Sequence, residues 1–192
     1  MKDKIATVIS KYSLDVLDCE NFFIVDYKNI NGGDIECSCT EPEVASVHLH
    51  NPSKIESYFI LFGENCLEVS TVVCCKQCEC VVFPTAGNDN DWILCVETKY
   101  CHSLENAFRE ENDYPYIMVE KIKETVAYFR SKGLIEKGRR VTGVVSFPTL
   151  IEDFSESFKP RDESIEDILL NHNIIIRPTN TITIKSTKRL IV

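Results

Sequence analysis

No run of apolar residues in this sequence approaches the ~20 that a membrane-spanning helix needs, so no membrane association is expected. The opening residues, "MKDKIATVISKYSLDVLDCEN", lack the apolar centre and small-residue cleavage site of a secretory signal. They read as a helix of a cytoplasmic protein. Internal repeats and low-complexity tracts are missing too. Basic residues are in deficit: 21 Lys and Arg stand against 30 Asp and Glu, a net charge of −9. A dedicated DNA-binding module is usually basic, because neutralising phosphates supplies much of its affinity. A tight hold on nucleic acid through the overall field is therefore not expected. The basic residues are locally clustered, or a partner holds the nucleic acid, or the substrate is something else.

What is present suits one globular domain with a sizeable core: 192 residues, 44% of them hydrophobic. The content is too apolar and too mixed in charge for a disordered chain. There are ten cysteines. Without a secretion signal, reduced thiols are expected. Cys74, Cys75, Cys80 and Cys95 sit in apolar runs, where a free cysteine acts as a small hydrophobe. A zinc site of Cys37, Cys39, Cys75 and Cys78 is the alternative, although Cys-x-Cys is not the usual knuckle spacing. No histidine has a recognisable pairing with any thiol.

Three segments are expected: an N-terminal helix-and-hairpin extension over 1–50, a core over 51–150, and a helix-strand tail over 151–192, together one compact domain. Ile5, Val8, Ile9, Tyr12 and Val16 predict a helix over 3–18. "NFFIVDYKNINGGDIECSC" predicts two strands about an Asn-Gly-Gly-Asp turn. "VASVHLH" reads as helix or strand, and a strand would put His48 and His50 on one face. In "NPSKIESYFILFG", Asn51 suits a cap, Pro52 the first turn and Gly63 the stop, which predicts a short helix. "CLEVSTVVC" (66–74) predicts a strand, and "CECVVFPTAGNDNDWILCVETKY" (78–100) predicts two strands about a polar turn. A helix over 116–135, a strand at "RRVTGVVSFP", a polar linker over 152–164, a helix at "SIEDILLNH" and one or two final strands follow. The fold class expected is α/β, with a mixed central sheet flanked by helices.

Charged residues stand out in that strand pair. Folding it about Asn88 sets Val81 opposite Cys95 and Glu79 opposite Glu97. Because side chains alternate along a strand, Glu79, Glu97 and Lys99 then share one face, and Cys80, Val82, Leu94 and Val96 pack on the other. Two facing carboxylates repel. A divalent cation between them reverses the sign, and Mg²⁺ favours carboxylate oxygens while keeping positions open for water and phosphate. Lys99, an exposed strand-end lysine beside such an ion, could orient water and stabilise charge on a phosphate. The bland alternative is a solvated strand end. Asp89 and Asp91 read as turn chemistry, His102 as an exposed loop residue, and Arg139 and Arg140 as a solvated turn or phosphate contacts.

The stretch "CECVVFP…DWILCVETKY" resembles the signature of the PD-(D/E)xK nuclease superfamily. The resemblance implies a restriction-endonuclease-like core of helix, three-strand meander, helix and strand, covering residues 52 to about 147. It implies Glu97 as the motif glutamate, Lys99 as the catalytic lysine and Glu79 at the first acidic position. The main-chain carbonyl of Thr98 would complete a Mg or Mn shell with Glu79 and Glu97. Glu56 is the candidate for a further acid from the first helix, with Glu64 behind it. Two departures stand out: glutamate replaces the usual aspartate at position 79, and Cys78 replaces the proline that often precedes it. The implied activity is metal-dependent cleavage of DNA or RNA, in restriction or anti-phage defence, with a protein partner or as a homodimer. The alternative is a catalytically inactive subunit of the same fold, acting in assembly or regulation.

Overall fold

A computed structural model describes residues 1–70, 73–88 and 90–192 of the chain. It is a mixed α/β structure of two main sheets. In chain order the elements are α1 (Lys2–Val8), β1 (Tyr12–Leu17), β2 (Asn21–Asp26), β3 (Ile35–Ser38), β4 (Val47–His50), β5 (Ser57–Phe62), β6 (Glu68–Ser70), β7 (Val73–Cys74), β8 (Cys80–Pro84) and β9 (Leu94–Thr98). They continue as α2 (Leu104–Ala107), α3 (Tyr114–Ser131), β10 (Val141–Ser146), α4 (Ile165–His172), β11 (Ile174–Pro178), β12 (Thr181–Ser186) and β13 (Arg189–Ile191). None of the described helices is long and apolar enough to cross a membrane.

The larger sheet has six strands in the order β1-β5-β8-β9-β10-β11. The pairs from β1 to β9 are antiparallel, and β9-β10 and β10-β11 are parallel. A parallel step needs a crossover, and α3 supplies the one between β9 and β10. The second sheet, β13-β12-β4-β2-β3, joins strands from both ends of the chain. It covers one face of the six-stranded sheet, while α3 and α1 cover the other. Strands buried on both faces read as unbroken apolar runs, and every residue of β8 and β9 is buried. Cys80, Val82, Leu94 and Val96 pack toward the second sheet. Val81, Phe83, Ile93 and Cys95 pack toward α3, against Met118, Ile122 and Val126.

Several expected elements differ. The N-terminal helix stops at Val8, and Tyr12 and Val16 lie in β1, which pairs with β5. The predicted helix at 52–63 is strand β5 in its second half. Ile55, Tyr58, Phe59 and Phe62 fit a helical face, but β5 lies between β1 and β8 with Ser57, Phe59, Ile60 and Phe62 buried. Pairing on both sides outweighs local pattern there. Asn51 is fully buried and braces a turn instead: its side chain donates to the carbonyls of Cys19 and Ile55 and accepts from the Ile55 amide. Gly63 is a close approach, not a helix stop, since a Cβ there would lie 3.0 Å from Lys11 Cβ and 3.2 Å from its carbonyl oxygen. The 66–74 strand is a small β6-β7 hairpin, with residues 71 and 72 outside the described set. The stretch over 152–164 is no free linker, because Phe154 and Phe158 are buried in the α3-side core. The expectation that every thiol is reduced also fails: Cys19 and Cys39 form a disulfide, leaving eight free cysteines.

Candidate functional site

The β8-β9 hairpin has the register that folding about Asn88 requires: Cys80 pairs with Val96, Val81 with Cys95 and Val82 with Leu94. The loop has its own ties. The Asp91 carboxylate accepts from the Asn88 amide at 2.8 Å, and Arg139 donates to the carbonyls of Asn88 and Asp91. Asp91 is thus turn chemistry, as expected, and Asp89 lies outside the described residues. One residue beyond the paired segment, the Glu79 amide donates to the Val96 carbonyl at 3.0 Å. Alternation then puts Glu79 and Glu97 on the α3 side of the sheet.

Helix α3 supplies what the sequence reading missed. Lys121 projects from its sheet-facing side, among Met118, Ile122 and Thr125. Its Nζ donates to Glu79 Oε1 at 2.9 Å and to Glu97 Oε1 at 2.7 Å. Thr125, one turn on, fixes the helix against the strand: its hydroxyl donates to the Lys121 carbonyl and accepts from the Cys78 amide. Lys99 Nζ lies 3.1 Å from Glu97 Oε1 and 3.5 Å from Glu79 Oε1, and donates to the Thr98 carbonyl at 3.1 Å. Lys28, from the turn after β2, stands at the rim, 4.0 Å from Glu79 Oε2. The expected trio of Glu79, Glu97 and Lys99 is therefore together, with two lysines added. Lys99 is not the exposed strand-end lysine expected; its side chain is only 16% exposed.

Burial sets the electrostatics. The Glu97 side chain is fully buried, and its Oε2 has no hydrogen-bond partner. Burial, reinforced by the Glu79 charge, pushes Glu97 up to about 7 against the pull of Lys99 and Lys121. Burial would raise Glu79 too, but Lys121, Lys99 and Lys28 together hold it below its ordinary value. Lys121 is raised: burial favours its neutral form, yet two carboxylates within hydrogen-bond reach outweigh that.

Other singled-out residues lie elsewhere. Glu56 precedes β5, and its Oε2 accepts from the Thr85 hydroxyl at 2.6 Å. Thr85 follows the far end of β8, roughly 20 Å along the strand from Glu79 at ~3.3 Å per residue. The helix meant to bring Glu56 inward is a strand, so the residue is stranded at the wrong end. Glu64 is exposed beyond the end of β5, and His102 is exposed. His48 and His50 share Asn21: His48 Nε2 lies 2.9 Å and His50 Nδ1 3.2 Å from its Oδ1. The four-thiolate zinc alternative is overturned, since Cys39 is bound to Cys19. Among the described residues, no group of three or more His, Cys, Asp or Glu side chains could hold a metal ion.

A Mg or Mn ion would instead need two carboxylates and a main-chain oxygen, and the groups of that kind here are Glu79, Glu97 and the Thr98 carbonyl. Both Oε1 atoms converge on one cationic group, the Lys121 ammonium. Glu97 Oε2 is a buried acceptor without a donor. The Thr98 carbonyl faces the same cluster through Lys99. No protein-family model, no curated protein and no solved structure matches this chain.

Proposed function

We propose that this protein is a Mg- or Mn-dependent nuclease of the PD-(D/E)xK type, cleaving phosphodiester bonds of DNA or RNA. The observation that carries the reading is the convergence of Glu79 Oε1 and Glu97 Oε1 on one cationic point, with Lys99 alongside. The order of elements supports it. Strands β5, β8 and β9 form an antiparallel meander, α3 follows, and β10 pairs parallel to β9. This order resembles the meander, helix and strand of a restriction-endonuclease-like core, with α1 in the place of its first helix. Glu79 sits at the start of the second meander strand and Glu97-Thr98-Lys99 at the end of the third.

Glu79, Glu97 and the Thr98 carbonyl would hold the ion. When bound it would polarise a phosphate and lower the pKa of a water molecule. The protein's own groups do the rest. Lys99, fixed between Glu97 and the Thr98 carbonyl, points an ammonium at the place where negative charge grows. Glu97, as a ligand, would be held as a carboxylate by the ion. Lys28, 39% exposed at the rim, is placed to meet an incoming phosphate. The buried walls of β8, β9 and α3 limit water. The setting that fits is cytoplasmic restriction or anti-phage defence, with a protein partner or as a homodimer.

One observation favours the second reading, an inactive subunit of the same fold acting in assembly or regulation. Lys121 already occupies the point on which both carboxylates converge. Incubation of the purified protein with supercoiled plasmid, single-stranded DNA and RNA in Mn²⁺ or Mg²⁺ separates the two. Cleavage that chelation stops, and that Glu97→Gln and Lys99→Met abolish, supports the nuclease. Cleavage unchanged in both variants, or none by the wild-type protein, leaves the inactive subunit.

A further inference from the structure

The chain is acidic overall, but its charges are unevenly placed. At the end of the sheet opposite Glu79 and Glu97 lies a cleft of about 790 Å³. It is lined by the start of α1, the β8-β9 loop and the turn after α3, and it carries Lys2, Lys4, Arg130, Lys137 and Arg139. A second cleft of about 530 Å³ shares Asp91 and Trp92 with the first and carries Arg140, Arg177, Lys188 and Arg189. The two form one band of nine basic side chains. Only Asp3, Asp91 and Glu136 are acidic among the described lining residues. Eight of the chain's 21 Lys and Arg thus line that end, Arg177 edges the second cleft level with Val96 in the sheet register, and three of the 30 acids are among the described lining residues.

Arg130 and Arg139 are occupied by the fold. Arg130 donates to the carbonyls of His172 and Arg139, and Arg139 holds the β8-β9 loop. The other seven, Lys2, Lys4, Lys137, Arg140, Arg177, Lys188 and Arg189, are exposed. None of them pairs with a carboxylate among the described residues. At the opposite end Lys28, Lys99 and Lys121 all meet Glu79. In a chain with an excess of acids, seven like charges gathered without counter-ions repel one another and cost stability. A polyanion reverses that cost by replacing its condensed counter-ions with these side chains.

We infer that this basic end is a docking surface for the phosphate backbone of nucleic acid, separate from the carboxylate site and roughly 15 Å from it along β9. A duplex carries one charge per ~1.7 Å of axis. A segment of modest length therefore engages the band while its continuation reaches the carboxylate end. The surface binds backbone without reading sequence, because unpaired Lys and Arg on separate loops meet phosphates as point charges. It also answers the charge problem: a chain of net charge −9 holds nucleic acid locally, not through its overall field.

The inference extends the nuclease reading but needs only binding, so it is tested with metal chelated and survives or fails independently of cleavage. Anisotropy of a fluorescently labelled 24-base-pair DNA duplex is followed across ionic strengths from about 50 to 200 mM. Wild-type protein is compared with Lys137→Glu/Lys188→Glu, one change in each cleft, and with Lys76→Glu/Lys159→Glu, both exposed and outside the band. The two double variants carry the same net charge, which removes the overall field as an explanation. The band variant loses on the order of tenfold to a hundredfold in affinity, and its log–log salt slope falls by about 2. The control pair stays within about threefold of wild type. Equal losses in both pairs overturn the assignment. So does failure of the wild-type protein to bind the duplex at the lowest salt, in which case the basic end is a face for an acidic protein.

Discussion

Lys121→Met tests the electrostatics of the site most finely. Methionine keeps the length of the stem and removes the charge that both carboxylates share. Removing one partner of a buried pair costs ~3–5 kcal/mol, because it leaves a charge uncompensated. Here Lys99 remains 3.1 Å from Glu97, and the Lys121 side chain is 23% exposed. The expected loss near pH 8 is therefore about 2 kcal/mol. Glu97 titrates at about 7 in the native protein, so near pH 5 it is already neutral and Lys121 pairs with Glu79 alone. The loss should shrink there to about 1 kcal/mol or less. Mn²⁺ at about 100 times its dissociation constant would return about 2.7 kcal/mol to either protein if it binds only the native state. Urea unfolding followed by fluorescence of Trp92, the single tryptophan and 7% exposed, gives these differences. Equal losses at the two pH values, or a loss near pH 8 below about 0.5 kcal/mol, would refute the reasoning.

The native pKa of Glu97 lies above its ordinary 4.5, so the folded protein keeps a proton that the unfolded chain gives up. Its contribution is full below about pH 4.5 and is lost as pH rises to about 7, a fall of about 3 kcal/mol. Glu97→Gln should remove that slope from the pH profile of unfolding, whereas Glu79, held low, contributes in the opposite direction and remains. Gly143 in β10 lies under α3, and a Cβ there would fall 2.9 Å from Ile122 Cγ2 and Ile176 Cδ1. Gly143→Ala should cost about 1–3 kcal/mol by denaturant unfolding. Thiol titration in denaturant should count eight groups before reduction and ten after, matching the Cys19–Cys39 disulfide.

The hairpin that carries the site was legible because two local signals agreed. A polar loop at Asn88 fixed where the chain turns, and strict alternation then fixed which residues face α3. A slip of one residue would have sent Glu79 to the opposite face. Glu56 failed for the converse reason. Ile55, Tyr58, Phe59 and Phe62 satisfy a helical spacing and a doubly buried strand equally well, and only the neighbours β1 and β8 decide between them. Lys121 was overlooked although a signal existed: a lysine between Met118, Ile122 and Thr125 lies on the apolar stripe of an amphipathic helix, where a charge needs a buried partner. In the second sheet the β2-β3 hairpin was legible from its Asn-Gly-Gly-Asp turn, but the pairing of β4 with β12 was not, because more than a hundred residues of chain intervene.

The central claim is that Glu79 and Glu97 form a divalent-ion site. Titration of the metal-free protein with Mn²⁺, reading free ion by electron paramagnetic resonance, tests it without requiring a substrate. The account predicts about one ion per chain, binding weakened about tenfold or more by Glu97→Gln and by Glu79→Gln, and strengthened by Lys121→Met because the competing ammonium is gone. Mn²⁺ uptake unaffected by either glutamine variant, or no uptake at millimolar Mn²⁺ by the wild type and Lys121→Met alike, would contradict it.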